Sequence, residues 1–128
     1  MADRKPRVLI VDDANLVRLY YRDILEGAGY EVDEALNGLE ALEKLLTAPA
    51  DLLIVDVNMP QMDGFTFLRA LRRLDLPLAS IPALVTSTES KPQDFVGARA
   101  AGANFYLTKP VSRESLADHV GLLCGRAT

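Results

Sequence analysis

The sequence predicts one α/β domain, a five-stranded parallel sheet covered by helices on both faces. Three observations lead there. Short apolar or β-branched runs alternate five times with longer stretches of helical period. Two of those runs are apolar throughout, as in strands buried on both sides of a parallel sheet. Connections between the runs are short, which calls for right-handed crossovers with helices above and below the sheet.

The first predicted strand, Val8–Val11, is wholly apolar and stops at Asp12-Asp13. Residues 15–28 carry Val17, Tyr21, Ile24 and Leu25 on one helical stripe, which Gly27 and Gly29 bring to an end. The second strand, Glu31–Ala35, sets Val32 and Ala35 among acids and therefore belongs near an edge. Residues 38–47 follow Asn37 as a cap, with Glu40 three positions on, and carry Leu39, Leu42, Leu45 and Leu46. Leu52–Val55, the second wholly apolar run, stops at Asp56.

Residues 64–74 carry Phe65, Leu68, Leu71 and Leu74. Gly64 after Asp63 predicts a turn of positive φ, and Met59-Pro60 a stiff lip before it. Asp75–Ile81, with Pro77 inside and Pro82 behind, is the longest connection and is expected on the surface. The fourth strand is Ala83–Thr86. The next helix spans residues 92–101, with Pro92 in its first turn and Gly102 at its close. Asn104–Leu107 is the fifth strand, and residues 112–123 form a last helix opening at Ser112, with Leu116, Val120 and Leu123 on its core side.

The chain has 128 residues, enough to bury a sizeable core, and its 49% apolar and 25% charged residues are ordinary for a soluble domain. A net charge of −4 with no basic block gives no footprint for nucleic acid. The single cysteine, Cys124, cannot form an internal disulfide, consistent with a reducing compartment. No signal peptide or run of about 20 apolar residues is present, so a cytoplasmic, unanchored protein is expected. His119, the only histidine, lies on the last helix away from the acids.

Polar residues gather where the predicted strands end. Asp12-Asp13, Asp56, Ser87 and Thr108-Lys109-Pro110 are remote in sequence, and only the fold can bring them to one crevice at the carboxyl edge of the sheet. One acid alone would pass for a helix cap or a solvated turn; the whole set does not. Two carboxylates about 4 Å apart repel by roughly 4 kcal/mol at an effective dielectric near 20, so three of them call for a cation. Oxygen-only ligation by few protein groups suits Mg²⁺, and no His or Cys stands where a zinc or copper site would need it.

Val8-Leu-Ile-Val-Asp-Asp13, Asp56-Val-Asn-Met-Pro-Gln-Met-Asp-Gly64 and Lys109-Pro110 together resemble the signature of response-regulator receiver domains. Arg18, Gly29-Tyr30, Asn37-Gly38 and Ala101-Gly102-Ala103 fit the same pattern, and the resemblance runs from about Arg7 to Leu123. It implies a flavodoxin-like doubly wound (βα)5 fold with strand order 2-1-3-4-5. Residues 1–128 would form a single receiver domain without an output domain, as in chemotaxis-type regulators.

By that resemblance Asp56 is the phospho-acceptor, taking its group from a histidine kinase or histidine phosphotransfer protein. Asp13, Asp56 and the backbone carbonyl of Asn58 would bind Mg²⁺ directly, and Asp12 through water. Lys109 would meet the phosphoryl oxygens, a role suited to a point charge. Backbone N–H groups of Val57 and Thr88 are further expected donors. Asn58 and Glu89 would tune dephosphorylation. Tyr106 matches the aromatic switch position and would fill space vacated by the switch hydroxyl. The output would pass by contact with an effector protein, or the phosphoryl group would be handed on; a monomer or weak dimer is expected.

The switch hydroxyl itself is ambiguous. Counting back from Lys109 gives Ser87, whereas counting forward from Asp56 gives Thr86; an inserted residue in the 75–81 loop would reconcile them in favour of Ser87. Serine there lacks the methyl that limits a threonine's rotamers. Val111 stands where many relatives carry phenylalanine, which predicts looser packing beneath the last helix. Leu16, Leu19 and Tyr20 lie off the core stripe of the first helix and are expected to dock the kinase or phosphotransfer partner. Two other readings compete: a receiver that binds partners without phosphorylation, and a Mg²⁺-dependent phosphohydrolase. The first would waste the intact Asp12, Asp13, Asp56, Ser87 and Lys109 set. The second needs an acid two residues past the nucleophile, where this chain has Asn58.

Overall fold

A computed structural model describes residues 4–125. Its elements are β1 (Arg7–Val11), α1 (Asn15–Gly27), β2 (Glu31–Ala35), α2 (Gly38–Thr47), β3 (Leu52–Asp56), α3 (Gly64–Leu71), a 3₁₀ turn at Leu78–Ser80, β4 (Ala83–Ser87), α4 (Pro92–Ala101), β5 (Phe105–Thr108) and α5 (Arg113–Leu123). All strands pair in parallel, in the order β2-β1-β3-β4-β5. The expected topology is the observed one. No described helix is long and apolar enough to cross a membrane.

Alternation along the strands builds two cores. Leu9, Val11, Leu53, Val55, Ala83 and Val85 point to the face covered by α2, α3 and α4, where they meet Leu45, Phe67, Leu68 and Leu71. Val8, Ile10, Leu52, Ile54 and Leu84 point to the other face and meet Tyr21, Ile24 and Leu25 of α1 with Leu116 and Val120 of α5. The three central strands are buried almost end to end, while β2 and β5 sit at the edges with partly exposed residues.

Helix ends follow the expected chemistry. Asn37 accepts the Glu40 N–H at 2.9 Å and the Glu40 carboxylate accepts the Leu36 N–H at 2.8 Å, closing the first turn of α2. Ser112 caps α5 through the Ser115 N–H at 3.0 Å. Gly102 ends α4 at φ 106°, where a side chain would be strained.

Several expectations need correction. The left-handed glycines among the described residues are Gly29, Gly102 and Gly125, so Gly64 is not one of them. Gly64 is needed instead for close approach: a Cβ there would lie 2.4 Å from the Asp56 carbonyl oxygen. On α2, Leu39 and Leu46 are exposed, because Gly38, Ala41 and Leu45 form the buried stripe. Helix α3 ends at Leu71, three residues earlier than expected, and β5 starts one residue later, at Phe105. The 75–81 connection contains a 3₁₀ turn, and Arg72 fastens it by donating to the carbonyls of Ala79 and Ile81 at 3.1 and 2.6 Å and to Gly102 at 2.6 Å.

Candidate functional site

The carboxyl ends of β1, β3, β4 and β5 meet around one pocket. Asp12 is almost fully buried at the end of β1; its Oδ1 accepts the Ala14 N–H at 2.9 Å, and its backbone carbonyl accepts from Arg18 Nη1 at 2.7 Å. Asp13 is exposed at the rim. Asp56 ends β3 and is buried. One carboxylate oxygen from each of these three acids lies within 4.8 Å of the others.

Lys109 reaches in from the end of β5. Its Nζ stands 3.0 Å from Asp12 Oδ2 and 3.1 Å from Asp56 Oδ1, so one ammonium bridges two buried carboxylates. The Lys109 N–H also donates to the Ser87 carbonyl at 2.7 Å, fixing the end of β5 against β4. The Lys109-Pro110 peptide is cis.

The electrostatics follow from that crowding. Burial, and then the charges of Asp12 and Asp13, hold the Asp56 carboxyl above the ordinary aspartate range; Lys109 offsets this only in part. Burial works against the Lys109 charge, but bonding and attraction to Asp12 and Asp56 prevail and raise its pKa. Three carboxylates against one ammonium leave two negative charges uncompensated, a fit to a divalent cation. The donor set is all oxygen, which suits a hard ion such as Mg²⁺.

The two candidate hydroxyls lie on different sides of the sheet. Alternation places Ser87 with Val85 on the α2–α3–α4 face and Thr86 with Leu84 on the α1–α5 face. Tyr106 packs on the same side as Ser87. Ser87 Oγ accepts the Glu89 N–H at 3.1 Å, and the Tyr106 hydroxyl donates to the Glu89 carbonyl at 2.7 Å. The Tyr106 ring also meets Phe95 of α4 edge-on, with centroids 4.6 Å apart.

Not every expected group is available. The Val57 N–H, expected as a phosphoryl donor, is committed to the Thr86 carbonyl at 3.1 Å, because the β3–β4 ladder runs one rung past the strand. Among the described residues, the N–H groups of Asn58 and Thr88 have no protein acceptor. Asn58 and Glu89 are both exposed at the mouth.

Leu16 is 77% exposed, Leu19 59% and Tyr20 41%, an apolar strip on α1 leading towards the pocket. The Tyr20 hydroxyl donates to the Val111 carbonyl at 3.1 Å. Val111 is itself buried, and a cavity of about 300 Å³ lies beside it between α1 and Lys109-Pro110. His119 sits half-buried on α5 with Nδ1 2.7 Å from the Ser115 carbonyl, remote from the acids as expected.

The site also rests on a residue whose part was not foreseen. Arg18 is 7% exposed and spans from the Asp12 carbonyl to Glu34 Oε1 at 2.7 Å, and to Asn15 at 3.1 Å. Arg22 makes a short ion pair with the second Glu34 oxygen. Arg18 thus ties the acidic end of β1 to edge strand β2. Its arginine among the polar positions of α1 was visible; its inward course was not.

A parallel (βα)5 domain with an acidic pocket and a lysine at its carboxyl edge defines the class of phosphate-handling signalling domains. The chain belongs to the response regulator receiver domain family, which matches residues 8–121. It is 37% identical over 121 residues to the transcriptional regulatory protein PrrA of Mycobacterium leprae, an alignment covering 94% of this chain and 51% of that protein. The chain spans about half the length of the curated relatives it matches. The chemotaxis protein CheY4 of Vibrio cholerae superposes with a TM-score of 0.87 at 37% identity, covering 94% of this chain and 99% of that one. The signal receiver domain of a signal transduction histidine kinase from Syntrophus aciditrophicus gives 0.86 at 36% identity, covering 94% and 90%. The chain is a receiver of two-component signalling.

Proposed function

We propose that Asp56 accepts a phosphoryl group from the phosphohistidine of a kinase or phosphotransfer protein. An Asp56 carboxylate oxygen attacks phosphorus, the phosphorus–nitrogen bond breaks, and the electron pair leaves with the imidazole, which takes up a proton. The observation that carries this reading is Lys109 Nζ at 3.1 Å from Asp56 within a three-carboxylate cluster. Positioning and charge neutralisation do most of the work in phosphoryl transfer, and those are the features this pocket offers.

Asp13, Asp56 and the Asn58 carbonyl would hold Mg²⁺, with Asp12 in its outer sphere. The ion would neutralise charge on the phosphoryl oxygens. Lys109 trades its Asp56 contact for a phosphoryl oxygen, and the N–H groups of Asn58 and Thr88 supply further donors. Ser87 then swings to the same group. Because Ser87 shares a face with Tyr106 and Thr86 does not, Ser87 is the better supported switch hydroxyl. Asn58 and Glu89 border the mouth and would set how readily water reaches the acyl phosphate.

Leu16, Leu19 and Tyr20 form the docking strip for the donor protein, and the phosphorylated face then engages an effector by protein contact or passes the group on. Nothing favours a phosphorylation-independent binding module. Incubation with acetyl phosphate, with and without Mg²⁺, followed by intact-mass measurement tests the reading. A Mg²⁺-dependent gain of one phosphoryl group is expected; an unchanged mass would reject it.

A further inference from the structure

Helix α1 starts without a side-chain clamp of its own: Ala14 stands at its N-cap, and its methyl offers no acceptor. The turn before it carries Asp12 and Asp13, two of the three acids of the pocket. Asp12 is tied at several points. Its N–H reaches the Ala35 carbonyl at 3.1 Å, one carboxylate oxygen takes the Ala14 N–H, and the other takes the Lys109 ammonium. Asp13 has no such hold. Among the described residues its exposed carboxylate makes no hydrogen bond or ion pair, so the backbone sets where that carboxylate sits.

The peptide that joins the two acids is gripped by the buried Arg18 of α1. Its Nη1 donates at 2.7 Å to the Asp12 carbonyl, which is the oxygen of the Asp12–Asp13 peptide. Its Nη2 donates to Asn15 Oδ1 at 3.1 Å, and its Nε to Glu34 Oε1 at 2.7 Å. Glu34 is paired in turn with Arg22, whose Nη2 donates to the Val32 carbonyl at 2.8 Å. A line of bonds thus runs from the Asp12–Asp13 peptide to the backbone of β2. A guanidinium carries its donors in a rigid fork, so anchoring it at Glu34 and Asn15 fixes the direction of its bond to the Asp12 carbonyl.

We propose that Arg18 is a positioning residue for the divalent cation: by holding the Asp12–Asp13 peptide, it keeps the Asp13 carboxylate beside Asp56. The inference rests on the reading of Asp13 and Asp56 as Mg²⁺ ligands. Arg18 bonds to neither of those carboxylates and acts through the backbone. Charge and position pull in opposite directions here, which makes the role separable from simple electrostatics. A positive side chain so near the acids disfavours a second cation, so on charge alone its loss would tighten Mg²⁺ binding. On positioning, its loss weakens binding, because a carboxylate left without a fixed backbone must be ordered when the ion arrives.

Arg18→Met keeps an apolar stem and removes the guanidinium; Arg18→Lys keeps the charge and loses the fork. In the full chain, Mg²⁺ titration is followed by the amide NMR shifts of residues 13 and 56. Both variants are expected to bind Mg²⁺ about tenfold more weakly, the equivalent of one hydrogen bond from a charged donor. With acetyl phosphate, the Mg²⁺ concentration at half-maximal phosphorylation rate rises by the same factor, while the rate at saturating Mg²⁺ stays within twofold of the parent. Val120→Ala, a truncation in the core on α5, is the control: it lowers the thermal midpoint and leaves Mg²⁺ affinity within twofold. If Arg18→Met does not fold, Arg18→Lys decides. Parental or tighter Mg²⁺ binding in the Arg18 variants, or an equal weakening in Val120→Ala, would overturn the proposal. A parent chain whose residues 13 and 56 do not respond to Mg²⁺ would remove the cation site and this inference with it, and that result needs no variant to recognise.

Discussion

Ser87 and Tyr106 are tied to the two ends of one peptide unit pair: Ser87 Oγ accepts the Glu89 N–H at 3.1 Å while the Tyr106 hydroxyl donates to the Glu89 carbonyl at 2.7 Å. If Ser87 turns to a phosphoryl oxygen, the Glu89 N–H loses its acceptor and the loop carrying the Tyr106 partner must adjust. A local charge change thereby biases packing on the α4 side. Ser87→Ala should still be phosphorylated on Asp56. The phosphorylation-dependent change in Tyr106 ring resonances, read by NMR, should be lost; a change equal to that of the parent would separate Ser87 from the switch.

The Asp56 pKa gives a stability prediction whose sign is opposite to the usual acid. A carboxyl held above its unfolded value contributes fully to stability below that unfolded value, and its contribution falls as pH rises through the folded one. Asp56 therefore destabilises the metal-free fold at neutral pH. Asp56→Asn is expected to raise the thermal midpoint at pH 7 by a few degrees, with the gain shrinking towards pH 3. Added Mg²⁺ should stabilise the parent more than the variant.

Glu34 behaves in the conventional direction. Burial opposes its charge, but Arg18 and Arg22 prevail and hold its carboxyl below the ordinary range. Its stabilisation is present above the unfolded pKa and lost as pH falls through the folded value, that is, below about 4.5. Glu34→Gln leaves Arg18 buried with its charge unmatched and should cost about 1–2 kcal/mol at pH 7 in urea unfolding. At pH 3 the difference from the parent should nearly vanish.

Gly64 packs its backbone against the end of β3, with its N–H on the Val57 carbonyl at 2.9 Å. Gly64→Ala drives a methyl into the Asp56 carbonyl and must shift α3 or the strand end. A loss of about 1–3 kcal/mol is expected, together with weaker Mg²⁺ binding measured by calorimetry. An alanine variant with parental stability and affinity would contradict this account.

The exposed strip on α1 predicts a split between donors. Leu16→Asp should slow phosphorylation by the protein donor, while the rate with acetyl phosphate stays at the parental level because Leu16 does not reach the pocket. Equal rates with the protein donor would remove Leu16 from the docking surface.

Much of this was legible in the chain itself. Val8–Val11 and Leu52–Val55 declared central strands because a parallel strand buried on both faces must be apolar at every position. Asp12, Asp13, Asp56 and Lys109 were legible because strand ends are where such a sheet gathers its chemistry. Gly64 was misread for a physical reason: a glycine kept for positive φ and one kept for close approach look alike in sequence. The Val57 N–H bond to the Thr86 carbonyl was not legible, because the ladder's last rung is set by strand register, which the sequence does not display. Arg18 and Arg72 bury long side chains against backbone carbonyls from distant loops, and nothing local marks an arginine for that course. The buried stripe of α2 runs through Gly38, Ala41 and Leu45, and four leucines on a short helix do not by themselves show which of them it leaves exposed.

The site of modification is the most direct test. After treatment with acetyl phosphate and Mg²⁺, borohydride reduction converts an aspartyl phosphate to homoserine, which peptide mass mapping can locate. Homoserine at position 56, absent when Mg²⁺ is chelated, is the predicted result. Homoserine at position 12 or 13, or none at all in a chain that has gained the phosphoryl mass, would contradict the assignment of Asp56.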